Sequence, residues 1–140
     1  MSLRAACVVV AMVAASCAAA QSESGNSTEE AGRINARLAM EYLKRDQLQV
    51  AQEKIVKALA QNPRDVNVQL AAGLVYERLR DKREAEKHFR QALKADPDSP
   101  EAQNALGAFH CRNGEHRKGE EMFVKAAANP LYRTPFVAFT

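Results

Sequence analysis

Tryptophan is absent from this 140-residue chain, and aromatic residues make up only 6% of it. The hydrophobic fraction, 46%, is carried largely by alanine and leucine. Such side chains suit closely packed helices and argue against a sheet protein, which draws on aromatic and β-branched residues. Charge of one sign is also missing: the formal net charge is +3, with acidic and basic residues interleaved. That excludes the one-sided basic face of a nucleic-acid-binding protein. There is no Ser/His/Asp set, phosphate loop or isolated carboxylate pair. No enzymatic activity, cofactor or small-molecule substrate is therefore expected. The length leaves room for one domain.

The N-terminal apolar run, Ala5–Ala15, is too short to be a permanent membrane span. It follows a single basic residue, Arg4, and reads as the core of an export signal. Two processing sites compete. Ala14-Ala15-Ser16-Cys17 resembles a lipobox, which gives a signal over 1–16 and a lipid on Cys17, although Ala14 stands where leucine is usual. Ala18-Ala19-Ala20 fits ordinary cleavage, which gives a signal over 1–20 and a soluble periplasmic product. The polar stretch that follows has no hydrophobic period, and residues 17–31 are expected to be a flexible tether. Cys7 lies inside the signal and Cys17 is lipidated or lost. Cys111 is then a lone cysteine in an exported chain.

From about Ala31 the pattern becomes helical and repeats. Ala39, Gly73 and Gly107 follow one another at 34 residues. The same step links Tyr42, Tyr76 and His110; Ala51, Ala85 and Gly119; Ile55, Phe89 and Phe123; and Ala58, Ala92 and Ala126. Pro63 and Pro97 keep it, and Pro130 comes one residue early. A small residue, then Tyr, then Ala-x3-Phe, then Pro at this period is the tetratricopeptide-repeat (TPR) signature, here with Asn35, Gln69 and Gln103 in place of its first Trp. The expected fold is all-α: a right-handed TPR α-solenoid with repeats over 32–65, 66–99 and 100–133. Helices are expected at about 32–44, 48–61, 65–79, 82–95, 99–112 and 116–128. Asp46, Asp81 and Asn113-Gly114 mark the turns within pairs, and the aromatic column, Phe123 included, fills the space between pairs. Gly119 lies inside a helix, at up to roughly 1 kcal/mol against Ala, so the third pair is expected to be the weakest.

The first helices of such pairs line a concave groove. The residues expected to face it are Arg33, Met40, Leu43, Asn67, Leu70, Leu74, Arg78, Asn104, Ala108 and Arg112, a mixture that suits an extended or helical segment of a protein partner. The competing reading places Met40, Leu70 and Leu74 in the core. Arrays that clamp a C-terminal carboxylate use Lys and Asn on the first inner helix; Ala36 and Met40 stand there, which discounts that subclass. His110, Cys111 and His116 do not make a metal site, because the first two point apart on a helix and a fourth ligand is missing. His110 replaces the packing Tyr of its column. His88 sits among charges and is expected to be solvated, as is the Glu84–Lys87 face.

The stretch Asn104-Ala105-Leu106-Gly107-Ala108-Phe109-His110-Cys111, then Gly114, Glu121, Phe123, Ala126 and Asn129-Pro130-Leu131-Tyr132-Arg133-Thr134-Pro135, resembles the PilF/PilW family of type IV pilus biogenesis proteins. The likeness covers about residues 33–138. It implies a pilotin role: a lipoprotein anchored through Cys17 at the periplasmic face of the outer membrane, which binds a partner protein, the pilus secretin, and supports its localisation and multimerisation. Ala18 after Cys17 is not the Asp of inner-membrane retention, so outer-membrane sorting is implied. Members of that family continue with further repeats. Residues 134–140 therefore read as the opening of a truncated fourth, expected to leave an apolar, self-associating end and Cys111 without a partner. A general periplasmic TPR scaffold for another envelope complex, or an accessory TPR domain of an enzyme, are the alternatives.

Overall fold

The computed structural model describes residues 25–130. They form six helices: α1 over 25–44, α2 (Leu48–Gln61), α3 (Val66–Arg78), α4 (Lys82–Ala95), α5 (Pro100–Arg112) and α6 (His116–Ala128). Among the described residues there is no strand. α3 packs on α4 and α5 on α6 within pairs, while α2 meets α3 and α4 meets α5 between pairs. Each pair thus leans on its sequence neighbours, which is the solenoid arrangement.

The turn inside each pair is the same device, made three times. Asp46, Arg80 and Gly114 have φ of 60°, 65° and 82°. The next amide reaches back to the helix: Gln47 N–H to Tyr42 O, Asp81 N–H to Tyr76 O and Glu115 N–H to His110 O, each 2.9 Å. The left-handed residue itself bonds Leu43, Glu77 or Cys111 at 3.0 Å. These are Schellman C-caps, which satisfy carbonyls a helix end otherwise leaves orphaned. Asp and Gly accept the left-handed region; for Arg80 it costs roughly 1–2 kcal/mol. The expected role of Asp81 changes accordingly. Arg80 makes the turn, and Asp81 caps α4 by accepting from Glu84 N–H at 3.0 Å.

Helix starts are set by caps as well. Asp65 accepts from the amides of Asn67 and Val68 at 2.9 and 3.1 Å, so α3 begins one residue later than expected. Ser99 does the same for α5 through Ala102, with Pro100 in the first turn, where its missing N–H does no harm. The glutamines that replace the motif's Trp tie each first helix to the loop before it. Gln69 Nε2 donates to Pro63 O at 2.6 Å and Gln103 Nε2 to Pro97 O at 2.9 Å.

The tether assigned to 17–31 is corrected over its last seven residues. Residues 25–31 are the start of α1. Gly32 approaches Asn62 so closely that an added Cβ would lie 2.7 Å from the Asn62 Cβ. Asn62 Nδ2 donates to Glu29 O at 3.2 Å, and Glu30 pairs with Arg33 and Arg37. These contacts offset the ordering cost that the polar composition alone leaves uncovered. The signal over 1–16 or 1–20, Cys17 and the segment 134–140 lie outside the described residues.

The core is built from the repeated columns. Ala39, Ala51, Ile55, Ala58, Ala85, Phe89 and Ala92 are fully buried. Phe123 departs from its column at 36% exposed, since no described helix follows α6 to cover it. The other end mirrors this. Ile34 and Leu38 are 46% and 40% exposed, whereas Val68, Ala72, Ala102 and Leu106 in the same columns are buried against the preceding pair. Gly119 is set by close approach: a Cβ there would run into Cys111 Sγ and come within 2.9 Å of Gly107 O. Cys111 itself is half-buried, and its thiol forms no disulfide among the described residues.

Candidate partner-binding groove

Between α1 and α3 lies a cavity of about 810 Å³. Its lining brings together five of the expected groove residues: Arg33, Met40, Asn67, Leu70 and Leu74. Both readings of the apolar members hold in part. Met40, Leu70 and Leu74 are half-buried and pack on core residues, yet one side of each faces the cavity. Ala36 and Ala71 complete a floor of small side chains. Floor positions fall on one face of α1 because 33, 36, 37 and 40 are spaced at three and four residues.

Leu43 is a correction. It is 6% exposed and belongs to the core with Ala39, Ile55 and Val75, because it lies one helical turn from Ala39 on the buried face. Asn104 and Ala108 are half-buried and Arg112 is exposed on α5, outside this cavity. Glu30, Arg37, Glu41 and Lys44 line it and were not anticipated. They follow from Arg33 by the same three- and four-residue spacing, which was the available signal.

Arg78, like Arg112, lies outside the cavity lining, and the expected arginines, inside it or not, are engaged by carboxylates of the array. Arg33 Nε meets Asp65 at 2.9 Å, and its Nη1 meets Glu30 at 3.4 Å. Arg78 meets Asp46 at 2.6 Å. Arg112 makes two bonds of 2.8 Å to Glu77. Arg33–Asp65, Arg78–Asp46 and Arg112–Glu77 each join one pair to its neighbour. Burial works against the charged form of Asp65, but Arg33 and the α3 amides outweigh it and hold its pKa below the usual value. Lys44, through hydrogen bond and charge, likewise lowers that of Glu41.

His88 is not solvated as expected; it is 7% exposed. Its ring stacks on Tyr76 at 5.3 Å and 10°, and Nδ1 lies 2.8 Å from Gln69 Oε1. Burial pushes its pKa down, with Lys87 adding to the effect and Glu84 opposing it. Helix α4 turns charged residues outward on either side of this position, which concealed its inward face in the sequence. His110 is buried in its Tyr column, edge-on to Phe109, with Nδ1 2.5 Å from Glu115 Oε2. In the third pair Met122 stands where His88 stands in the second, and Gln103 Oε1 is left buried without a hydrogen-bond partner. Among the described residues no group of three or more metal-binding side chains occurs, and no helix is long and apolar enough to cross a membrane.

An all-helical stack of helix pairs, with a repeated small–aromatic column and a groove lined by first helices, defines a tetratricopeptide-repeat α-solenoid, a protein-interaction architecture. Two tetratricopeptide-repeat family profiles match, over residues 36–82 and 66–109. Among solved structures, PilW, a widely conserved type IV pilus biogenesis factor, is 35% identical at a TM-score of 0.70, over 74% of this chain and 48% of its own. Pseudomonas aeruginosa PilF superposes at a TM-score of 0.71 with 23% identity, over 76% of this chain and 48% of its own. The second TPR of Spaghetti (RPAP3), bound to the HSP90 peptide SRMEEVD, reaches 0.67 at 16% identity, over 76% of this chain and 98% of its own. The chain thus spans about half the length of the PilF and PilW chains. No curated protein sequence matches.

Proposed function

We propose that this chain is a type IV pilus assembly factor of the pilotin type, whose α1–α3 groove binds a segment of the pilus secretin and supports its localisation and multimerisation. The observation that carries this reading is the 35% identity to PilW over 74% of the chain, combined with a groove of about 810 Å³ whose floor is apolar. Such a floor, rimmed by exchangeable ion pairs, suits a segment that inserts apolar side chains and presents polar ones to the edge. Ala36 and Met40 stand where carboxylate-clamping arrays carry Lys and Asn, so the groove is not of that clamp type. On this reading Cys17 carries the lipid and places the array at the periplasmic face of the outer membrane.

The test is the amount and membrane location of heat-resistant secretin multimers. A strain lacking the gene is compared with the same strain given the chain back, or given its Cys17→Ala form. Multimers that vanish on deletion, return in the outer membrane with the intact chain and fail to return with Cys17→Ala support both parts of the proposal. Multimers indifferent to the deletion would refute it and favour a scaffold for another envelope complex. Carrying Asn67→Glu, at an exposed position of the groove wall, should weaken rescue without loss of the protein.

A further inference from the structure

We propose that a second surface, the cleft between the start of α4 and the α5–α6 turn, docks an acidic segment of a protein partner. It lies on the edge of the array that carries the Schellman turns, apart from the α1–α3 groove. The cleft encloses about 520 Å³. Arg83, Lys87 and Arg90 line it from α4, where spacings of three, four and seven residues put them on one face, and Lys82 joins them from the first turn.

Two carboxylates also line it, and both are already engaged. Glu86 is held by Arg90 at 2.7 and 3.0 Å, and Glu115 by His110 at 2.5 Å and Lys118 at 2.8 Å. Among the described residues Lys82 and Arg83 have no ion-pair partner. The groove differs on this point, since the cations in its lining, Arg33, Arg37 and Lys44, are each paired with a carboxylate. The uncommitted charge in the cleft is therefore positive and complementary to Asp or Glu side chains.

An independent feature adjoins it. Arg80, in the turn leading into Lys82, holds a cation at a left-handed position, φ 65°, where the other two pairs place Asp46 and Gly114. An arginine at such a position is strained, and it adds a further cation beside Lys82. Phe109 and Asn113 line the cleft beside the cations, a mixture that suits the side chains of an acidic protein segment better than a bare lipid headgroup.

The probe is a dye-labelled octaglutamate peptide, with an octaglutamine peptide as its control, titrated into the full chain at low and physiological salt. Binding of the glutamate peptide alone is expected, weakening with salt. Lys82→Gln with Arg83→Gln should weaken it about five- to tenfold, the combined scale of two exposed ion pairs. Lys54→Gln with Lys57→Gln on α2 removes the same charge elsewhere and should leave it unchanged, as should Met40→Gln in the groove. All these sites are at least partly exposed, so an unchanged thermal midpoint shows that each variant is folded. No binding at low salt, equal loss in the α2 pair, or loss with Met40→Gln would overturn the proposal. So would preferential, cleft-dependent binding to phosphatidylglycerol vesicles.

Discussion

Replacing Gly73 by alanine sets two physical effects against each other. Gly73 lies in the middle of α3, where Ala is favoured over Gly by about 1 kcal/mol on helix propensity alone. The structure argues for the opposite sign. A Cβ on Gly73 would lie 2.5, 2.6 and 2.8 Å from three ring atoms of Phe89, well inside contact distance. That ring is fully buried and tilted against Phe109 at 5.6 Å, so it cannot swing aside as an exposed side chain would. Forcing extra volume into such a core costs roughly 1–3 kcal/mol or more, and with ring atoms this close the upper part of that range applies. The net loss is about 1–2 kcal/mol, or a thermal midpoint lowered by about 5–10 °C in a domain of this size. Thermal circular dichroism of Gly73→Ala measures it. Phe89→Leu made in the Gly73→Ala background should recover part of the loss, and the double-mutant cycle isolates the coupling. A midpoint that rises, or a cycle with no coupling, would refute the close-packing account of the small–aromatic column.

Other perturbations test other layers. Arg80→Gly removes a left-handed arginine and should raise stability by up to about 1 kcal/mol, seen as a higher thermal midpoint; no gain would mean the side chain contributes to the fold. Asp65→Ala removes the α3 cap and the partner of Arg33 together, and should cost about 1–2 kcal/mol in urea unfolding. His88 has a folded pKa below its ordinary value of 6.5, so the unfolded chain binds the extra proton. Its contribution is then present above about pH 6.5 and lost as pH falls toward the folded value. The midpoint should drop between about pH 7.5 and 5.5, and His88→Gln should flatten that drop.

How much of this was legible depends on which signal each residue carried. The 34-residue columns state the fold almost outright, since members of a column stand at equivalent places in successive pairs. The turns were legible at Gly114, whose residue type matches its φ, and misread at Arg80, whose type argues against it. His88 was misread because α4 is charged on most of its circumference; only its contacts with Tyr76 and Gln69, from another helix, reveal an inward side chain. Residues 25–31 were misread for the same reason, their order resting on Asn62, which is over 30 residues away. Half of the groove followed from helix spacing. Leu43 did not, because telling a groove leucine from a core leucine takes one turn of register that the sequence leaves open.

The inter-pair ion pairs link fold to function. Arg78–Asp46 and Arg112–Glu77 join successive pairs at 2.6 and 2.8 Å, with the arginines about half exposed. Exposed pairs of this kind contribute only about 0.2–1 kcal/mol each, so they cannot be what holds the array together; the buried side chains of the repeated columns, Ile55 and Phe89 among them, do that. What they do supply is orientation, by holding guanidinium groups over neighbouring first helices. On the proposed reading, a carboxylate of a bound segment can exchange for Asp46 or Glu77 at small net cost, while the buried column beneath stays intact.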